Sequence, residues 1–344
     1  MGIDENNIQY LVLWITEDCN LRCKYCYANA GEKKAYMNRA TFTKALDLAG
    51  DNNYKLQIAG GEPLMNFSLI KEIYDYLQVK NPKININMQT NGTLINSEIA
   101  KKIKKMNIGV GVSLDGPIGI NEKFRGKTIE TINGIKTLGR ENIIVNLNSV
   151  ITDESIKYLD ELVDLAFYCG NVYGIGLDLL RKTGRYMDNE GEFNEAKAGD
   201  IKKYLNKAYD RSKYLYEISG KRIILREIED ARFRLNMENP CKDYCYAALG
   251  SSMVVLPNGD IYPCSSFVGN EEYYMGNVHD RDSIKSIELR TQNMKYCKNC
   301  KYEKYCSRGC PARLIINDEN IIPLDCALRK TAFEIVSREL NLNI

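Results

Sequence analysis

Three cysteines within eight residues, Cys19-Asn-Leu-Arg-Cys23-Lys-Tyr-Cys26, are the first place in this chain where residue type and spacing could do chemistry. They directly follow an apolar run at residues 8–15 that reads as a strand. That puts them at the carboxyl end of a strand, where parallel α/β sheets and barrels carry their active sites. A structural zinc site takes four ligands, and no fourth Cys or His lies nearby. Three thiolates suit a 4Fe–4S cluster with one iron open to an exogenous ligand. The residues alone also leave open a zinc site completed from a distant part of the chain.

Polar segments recur after the next three candidate strands. Ala59-Gly60-Gly61-Glu62-Pro63-Leu64 offers glycines that let a backbone approach closely and a carboxylate suited to an ammonium partner. Taken alone, it could be an ordinary strand-end turn. Thr90-Asn91-Gly92-Thr93 and Ser113-Leu114-Asp115-Gly116-Pro117 occupy corresponding places further on.

Eight more cysteines lie between 241 and 326. Asn258-Gly259 makes a turn between residues 253–256 and 260–264, a hairpin that aims Cys264 back at Cys241 and Cys245. Cys297, Cys300, Cys306 and Cys310 form a second run, and Cys326 follows. Two four-thiolate sites use all eight. By themselves such paired cysteines read as zinc sites. Cys169 is left over as an expected buried, inert thiol, and the single His279 is assigned no role.

The elements that must position these groups alternate. Candidate strands cover residues 8–15, 55–59, 84–88, 108–113, 143–151 and 172–177, with helical periodicity at 39–48, 68–77, 97–105, 129–138 and 155–167. Repeats of about thirty residues imply parallel strands joined by right-handed crossovers. Six units are too few for a closed eight-fold barrel. The expected fold is therefore α/β, a partial (β/α)6 TIM-like barrel over 1–185, a helical bridge over 186–235 and a Cys-rich domain over 236–344. The acidic bridge residues Glu227, Glu229 and Asp230 read as a solvated helix face.

Composition bounds the class. The chain has 344 residues, 44% hydrophobic and 27% charged, enough for a real core. Residues 1–7 are polar and acidic, without the pattern of a signal peptide, so a reducing cytoplasm is expected and the 12 cysteines read as ligands. One His argues against an imidazole-based zinc hydrolase. A net charge of +2 predicts no strong general attraction to nucleic acid or anionic membrane.

The Cys19–Cys23–Cys26 spacing, with Tyr25 before the last Cys, resembles the radical S-adenosylmethionine (SAM) superfamily. The resemblance implies that SAM occupies the open iron through its amino and carboxylate groups. It implies reductive cleavage to methionine and a 5′-deoxyadenosyl radical that abstracts a substrate hydrogen. Gly60, Gly61 and Glu62 look like the family's Gly-Gly-Glu-Pro segment that binds the SAM amino group. Thr90, Asn91, Ser113 and Asp115 resemble its ribose- and carboxylate-contacting segments. The C-terminal pattern resembles the SPASM extension, whose ligation scheme assigns Cys241, Cys245, Cys264 and Cys310 to one auxiliary 4Fe–4S cluster. It assigns Cys297, Cys300, Cys306 and Cys326 to a second, making three clusters in all. Fully ligated clusters point to electron transfer rather than substrate binding.

Relatives with this extension mainly modify peptides or proteins, among them maturases of ribosomally made peptides and anaerobic sulfatase-maturing enzymes. The latter carry an Asp after the hairpin Cys, thought to be the base, whereas Ser265 stands there in this chain. Ser265 is a poor proton acceptor without a base beside it. The expected activity is oxidative installation of a thioether or carbon–carbon crosslink in a ribosomally made peptide. Sulfatase maturation and modification of a small molecule such as a porphyrin are the alternatives. No catalytic base is assigned. Expected partners are a peptide or protein substrate and a flavodoxin or ferredoxin reductant. Because only about seven residues precede the first strand, leader recognition would need a separate leader-recognition protein, an exposed strand edge, or no leader at all.

Overall fold

A computed structural model describes residues 8–241, 243–287, 289, 297, 299–317 and 322–342. The polar segment 1–7 lies outside these residues. Six strands pair in parallel in chain order: β1 (Tyr10–Trp14), β2 (Lys55–Ala59), β3 (Ile86–Thr90), β4 (Gly109–Ser113), β5 (Val145–Ile151) and β6 (Val172–Leu179). The crossovers carry α1 (Arg39–Ala49), α2 (Phe67–Lys80), α3 (Ser97–Lys105), α4 (Ile118–Phe124), α5 (Thr128–Arg140) and α6 (Leu159–Cys169). Asn96 accepts the Ile99 N–H and caps the start of α3.

The strands alternate instead of reading as continuous apolar runs, and the barrel's openness is the reason. Leu56, Met88, Val112 and Leu147 are buried beneath the helices, while Gln57, Gln89, Asn146 and Asn148 line open space on the concave side. The same polarity moved two strand boundaries. The third strand was expected at 84–88 but runs to Thr90, because Ile84 is tied to Asn81 in a turn and Gln89 bonds to Ser113 across the concave face. The sixth runs two residues past its expected end, taking Asp178 with it. The helix expected at 155–167 opens with a 3₁₀ turn, Ser155–Tyr158. Helix α4 was not foreseen, being short and containing Gly119.

Beyond β6 the chain forms α7 (Ala198–Ser219), β7 (Ile224–Leu225) and α8 (Arg226–Leu235). The bridge is helical as expected, but β7 within it joins the sheet alongside β6. Leu177 lies beyond the reach of this two-residue strand, and its N–H donates instead to Glu227 Oε1 at 3.0 Å. The expected solvated acidic face is therefore corrected. Glu227 is buried, Glu229 pairs with Arg222 and Arg232, and Asp230 pairs with Arg234 and Arg329.

The predicted hairpin forms as β8 (Ser252–Val255) and β9 (Asp260–Tyr262), with β10 (Gly276–Asn277) against β9. Strand β8 pairs in parallel with β1, giving one ten-stranded sheet in the order β10-β9-β8-β1-β2-β3-β4-β5-β6-β7. Its two edges are β10 and β7, so the barrel is open. Helices α9 (Pro311–Ile316) and α10 (Ile322–Glu339) complete the fold, α10 packing on α7 and α8. Among the described residues no helix is long and apolar enough to cross a membrane.

Candidate functional site

A cavity of about 400 Å³ opens at the carboxyl ends of the parallel strands. Cys19, Cys23, Cys26, Tyr25, Gly60, Gly61, Thr90, Asn91 and Ser113 all reach its wall, so the structure gathers most of the predicted residues into one place. Glu62 and Asp115 stand behind that wall and act on what lines it.

The cysteine loop is held by backbone and side chains together. Leu21 and Ala30 turn their N–H groups to the sulfurs of Cys19 and Cys26, at 3.4 and 3.5 Å. Arg185 donates to the carbonyls of Cys23 and Ala30. Gly61 N–H bonds to Thr16 O at 2.8 Å, and Glu62 N–H to Asp18 O at 2.9 Å. A Cβ on Gly60 would stand 2.3 Å from Thr16 O, and one on Gly61 would stand 2.1 Å from Asp18 O. The glycines thus serve first to let the stretch leading into Cys19 lie against the end of β2.

Glu62 is wholly buried. Its carboxylate accepts from Leu64 N–H at 3.1 Å, the Thr90 hydroxyl at 2.6 Å and Asn91 N–H at 2.7 Å. Burial pushes its pKa up to about 7 against the pull of these donors. Asn91 in turn donates to Asn20 at 2.9 Å, so the end of β3 clasps the cysteine loop. Asp115 is held by Arg125 through two bonds, at 2.8 and 3.0 Å, by Val150 N–H and by the Tyr25 hydroxyl. Arg125 also lies over the Tyr25 ring. Burial pushes the Cys23 thiol up to about 12, with Arg125 opposing. A cationic centre bound to the thiolates would relieve that cost.

Sequence reasoning missed Arg125, Asp178, Arg181 and Arg313, all on the cavity wall. Asp178 sits at the end of β6, so the strand-end rule would have found it had the strand been drawn two residues longer. Burial favours its neutral form, but Arg181 and Arg313 beside it outweigh this and hold its pKa below the usual carboxylate value. Two buried donors on the wall, Trp14 Nε1 and Arg181 Nε, have no partner among the described residues. Orphaned donors, three thiols and a close-packed glycine floor fit a cavity meant to hold a cluster and a polar cofactor.

In the C-terminal region burial raises the pKa of both Cys245 and Cys264, and Cys310 lies close enough to raise both further, as Cys264 does that of Cys245. Cys245 is pushed to about 11. Cys241 is exposed, its sulfur 3.8 Å from Asp243 Oδ2. Cys297, Cys300, Cys306 and Cys326 ring a separate small cavity, where Arg308 N–H turns to the Cys306 sulfur at 3.3 Å. Among the described residues no three His, Cys, Asp or Glu side chains converge on a point as ligands of one metal ion would. Cys169 is buried at the end of α6, away from both sets, and His279 Nε2 lies 3.1 Å from the Thr41 hydroxyl.

Comparison with known proteins agrees with this architecture. Residues 15–166 match the radical SAM superfamily, and residues 245–311 match SPASM, an iron–sulfur cluster-binding domain. The chain is similar to the uncharacterized protein MJ0907 of Methanocaldococcus jannaschii, with 35% identity covering 83% of this chain and 94% of that one. It is 26% identical to a cysteine-type anaerobic sulfatase-maturating enzyme of Clostridium novyi, covering 88% of each. The solved structure of native anSMEcpe with bound AdoMet and Cp18Cys peptide shares the fold, with a TM-score of 0.77 at 22% identity, covering 97% of this chain and 98% of that one. The chain belongs to the radical SAM superfamily, as an enzyme of the SPASM type.

Proposed function

We propose that this enzyme modifies a ribosomally made peptide oxidatively, installing a thioether or carbon–carbon crosslink. One observation carries the reading. Cys19, Cys23, Cys26 and Cys310 line a single cavity, so a substrate held in it would reach both the SAM-binding cluster and an auxiliary cluster if these thiols are their ligands. Cys19, Cys23 and Cys26 would hold the SAM-binding cluster. Cys241, Cys245, Cys264 and Cys310 would hold one auxiliary cluster, and Cys297, Cys300, Cys306 and Cys326 the other. When bound, the first cluster and SAM supply reductive radical chemistry able to abstract a substrate hydrogen atom.

The chain's own residues position and shield. Gly60 and Gly61 keep the cavity floor free of side chains, and Thr90, Asn91 and Ser113 offer it polar groups. Glu62 acts on the cofactor end through the Thr90–Asn91 segment it holds. Tyr27, half-buried on the cavity wall near Cys26 and Cys264, helps exclude water from that part of the cavity. Trp14 Nε1 and Arg181 Nε, without a partner among the described residues, could donate to an acceptor on the bound molecules.

Proton transfer is poorly provided for. Among the described residues Asp178 is the one carboxylate on the cavity wall, and Arg181 and Arg313 keep it ionised and weakly basic. Ser265 follows Cys264 where sulfatase maturases carry an acid. Radical coupling to carbon or sulfur fits this wall better than a base-dependent oxidation of Ser or Cys. The similarity to the Clostridium novyi enzyme favours sulfatase maturation as the second reading. A cytoplasmic location, a flavodoxin or ferredoxin reductant and a separate leader-recognition protein complete the proposal.

Anaerobic reconstitution with iron and sulfide tests it. About twelve irons per chain are expected for three 4Fe–4S clusters, with 5′-deoxyadenosine formed only in the presence of reductant. Replacing Cys19, Cys23 and Cys26 together by Ala should abolish that product and leave about eight irons. SAM cleavage surviving the triple change would overturn the assigned site. Formylglycine in a sulfatase peptide incubated with the wild type would decide for the second reading.

A further inference from the structure

The guanidinium of Arg313, on the first turn of α9, is almost wholly enclosed. Nη1 donates to Asp178 Oδ1 at 2.6 Å, and Nε donates to Asp325 Oδ2 at 3.0 Å. Nη2 donates to Asp325 Oδ1 at 2.5 Å and to the Tyr244 hydroxyl at 3.1 Å. The side chains of Arg313 and Asp325 are each only 3% exposed.

These partners belong to different parts of the redox architecture. Asp178 ends β6 on the wall of the reaction cavity. Asp325 accepts the Cys310 N–H at 3.3 Å and immediately precedes Cys326. Arg313 follows Cys310 by three residues and lines the cavity beside it. A single buried cation therefore joins the cavity carboxylate to the thiol set of the first auxiliary cluster. So far from water, a fixed charge acts on a neighbouring redox centre with little screening. Net charge and hydrogen bonding around the sulfurs are what set an iron–sulfur potential.

We propose that Arg313 is a positioning residue that raises the reduction potential of the cluster on Cys245, Cys264 and Cys310. This rests on those thiols being cluster ligands, as the proposed function holds. Reduction adds one negative charge to a cluster, so a fixed positive charge beside it favours the reduced form. The bidentate bond to Asp325 fixes where that charge sits. Without Arg313, Asp325 faces the cluster with its guanidinium partner gone and Asp178 keeps only Arg181, and the potential falls.

The test is a dithionite titration of the reconstituted holoenzyme followed by electron paramagnetic resonance, with iron and sulfide assayed on each sample. Arg313→Gln should move one midpoint to more negative potential, while Arg313→Lys keeps it near the wild-type value. Asp178→Asn removes a negative charge and should move the same midpoint the opposite way. Fully loaded Arg313→Gln with every midpoint unmoved overturns the proposal. If Arg313→Gln does not load, Asp178→Asn decides: a positive shift supports the proposal, and no shift overturns it. A wild-type enzyme about four irons short of three clusters would instead count against the cluster assignment, a separate failure.

Discussion

Glu62 makes the sharpest test of the electrostatics at the site. Its carboxylate is wholly buried behind the cavity, with a pKa pushed up to about 7 from the usual 4.5. A group that holds its proton more tightly when folded contributes stability that is full below its unfolded pKa. That contribution is lost as pH rises through the folded value, so the window runs from about 4.5 to about 7. At about 1.4 kcal/mol per pKa unit the loss is about 3 kcal/mol. Glu62→Gln removes the titration while keeping the shape. Urea denaturation of the metal-free wild type and variant, under anaerobic reducing conditions from pH 4 to 8, isolates the effect. Relative to the variant, the wild type should lose about 3 kcal/mol across this range. A difference flat to within about 1 kcal/mol would refute the reasoning, because a buried carboxylate with a raised pKa must show this slope.

Two further changes probe how the loop and its partners are held. Gly61→Ala places a methyl 2.1 Å from Asp18 O, a backbone atom that no rotamer change can move aside. The segment entering Cys19 must shift, and reconstituted protein should carry about four fewer irons with the auxiliary sites still loaded. Arg125→Met leaves Asp115, whose side chain is 1% exposed, without its cation. A buried charge stripped of its partner costs about 3–5 kcal/mol, to be read from the midpoint of denaturation. A cost under about 1 kcal/mol would mean that water reaches Asp115.

The parts legible in the sequence share one property: their chemistry is local. Cys19, Cys23 and Cys26 sit within eight residues, so their spacing alone states what they can bind. The Asn258-Gly259 turn carries its own geometry, with Gly259 at φ +92°, and the hairpin follows. Elsewhere the right residues were read for an incomplete reason. Gly60 and Gly61 do permit close approach, but the structure shows the approach of Thr16 and Asp18 backbone. Glu227 looked like one member of an exposed acidic run because nothing nearby in sequence shows that Leu177 N–H lacks a strand partner.

Strand ends were blurred where polarity interrupted apolar runs. Gln89, Thr90 and Asp178 belong to strands that front a cavity, where a polar side chain costs little. An apolar-run criterion stops before them, and the cost was overlooking Asp178.

The strand–helix alternation, the open (β/α)6 count and the Cys19–Cys23–Cys26 run were legible in the sequence itself. Each depends on periodicity or on spacing over a few residues. Which thiol set faces which was decided only by the tertiary structure. The parallel pairing of β8 with β1 brings the Cys-rich region onto the barrel's own sheet, and Arg313 bonds to Asp178 from 135 residues away. Pattern along a chain carries no record of contacts made across it. Burial then gives those contacts their strength, because a charge takes its energy from the groups that enclose it.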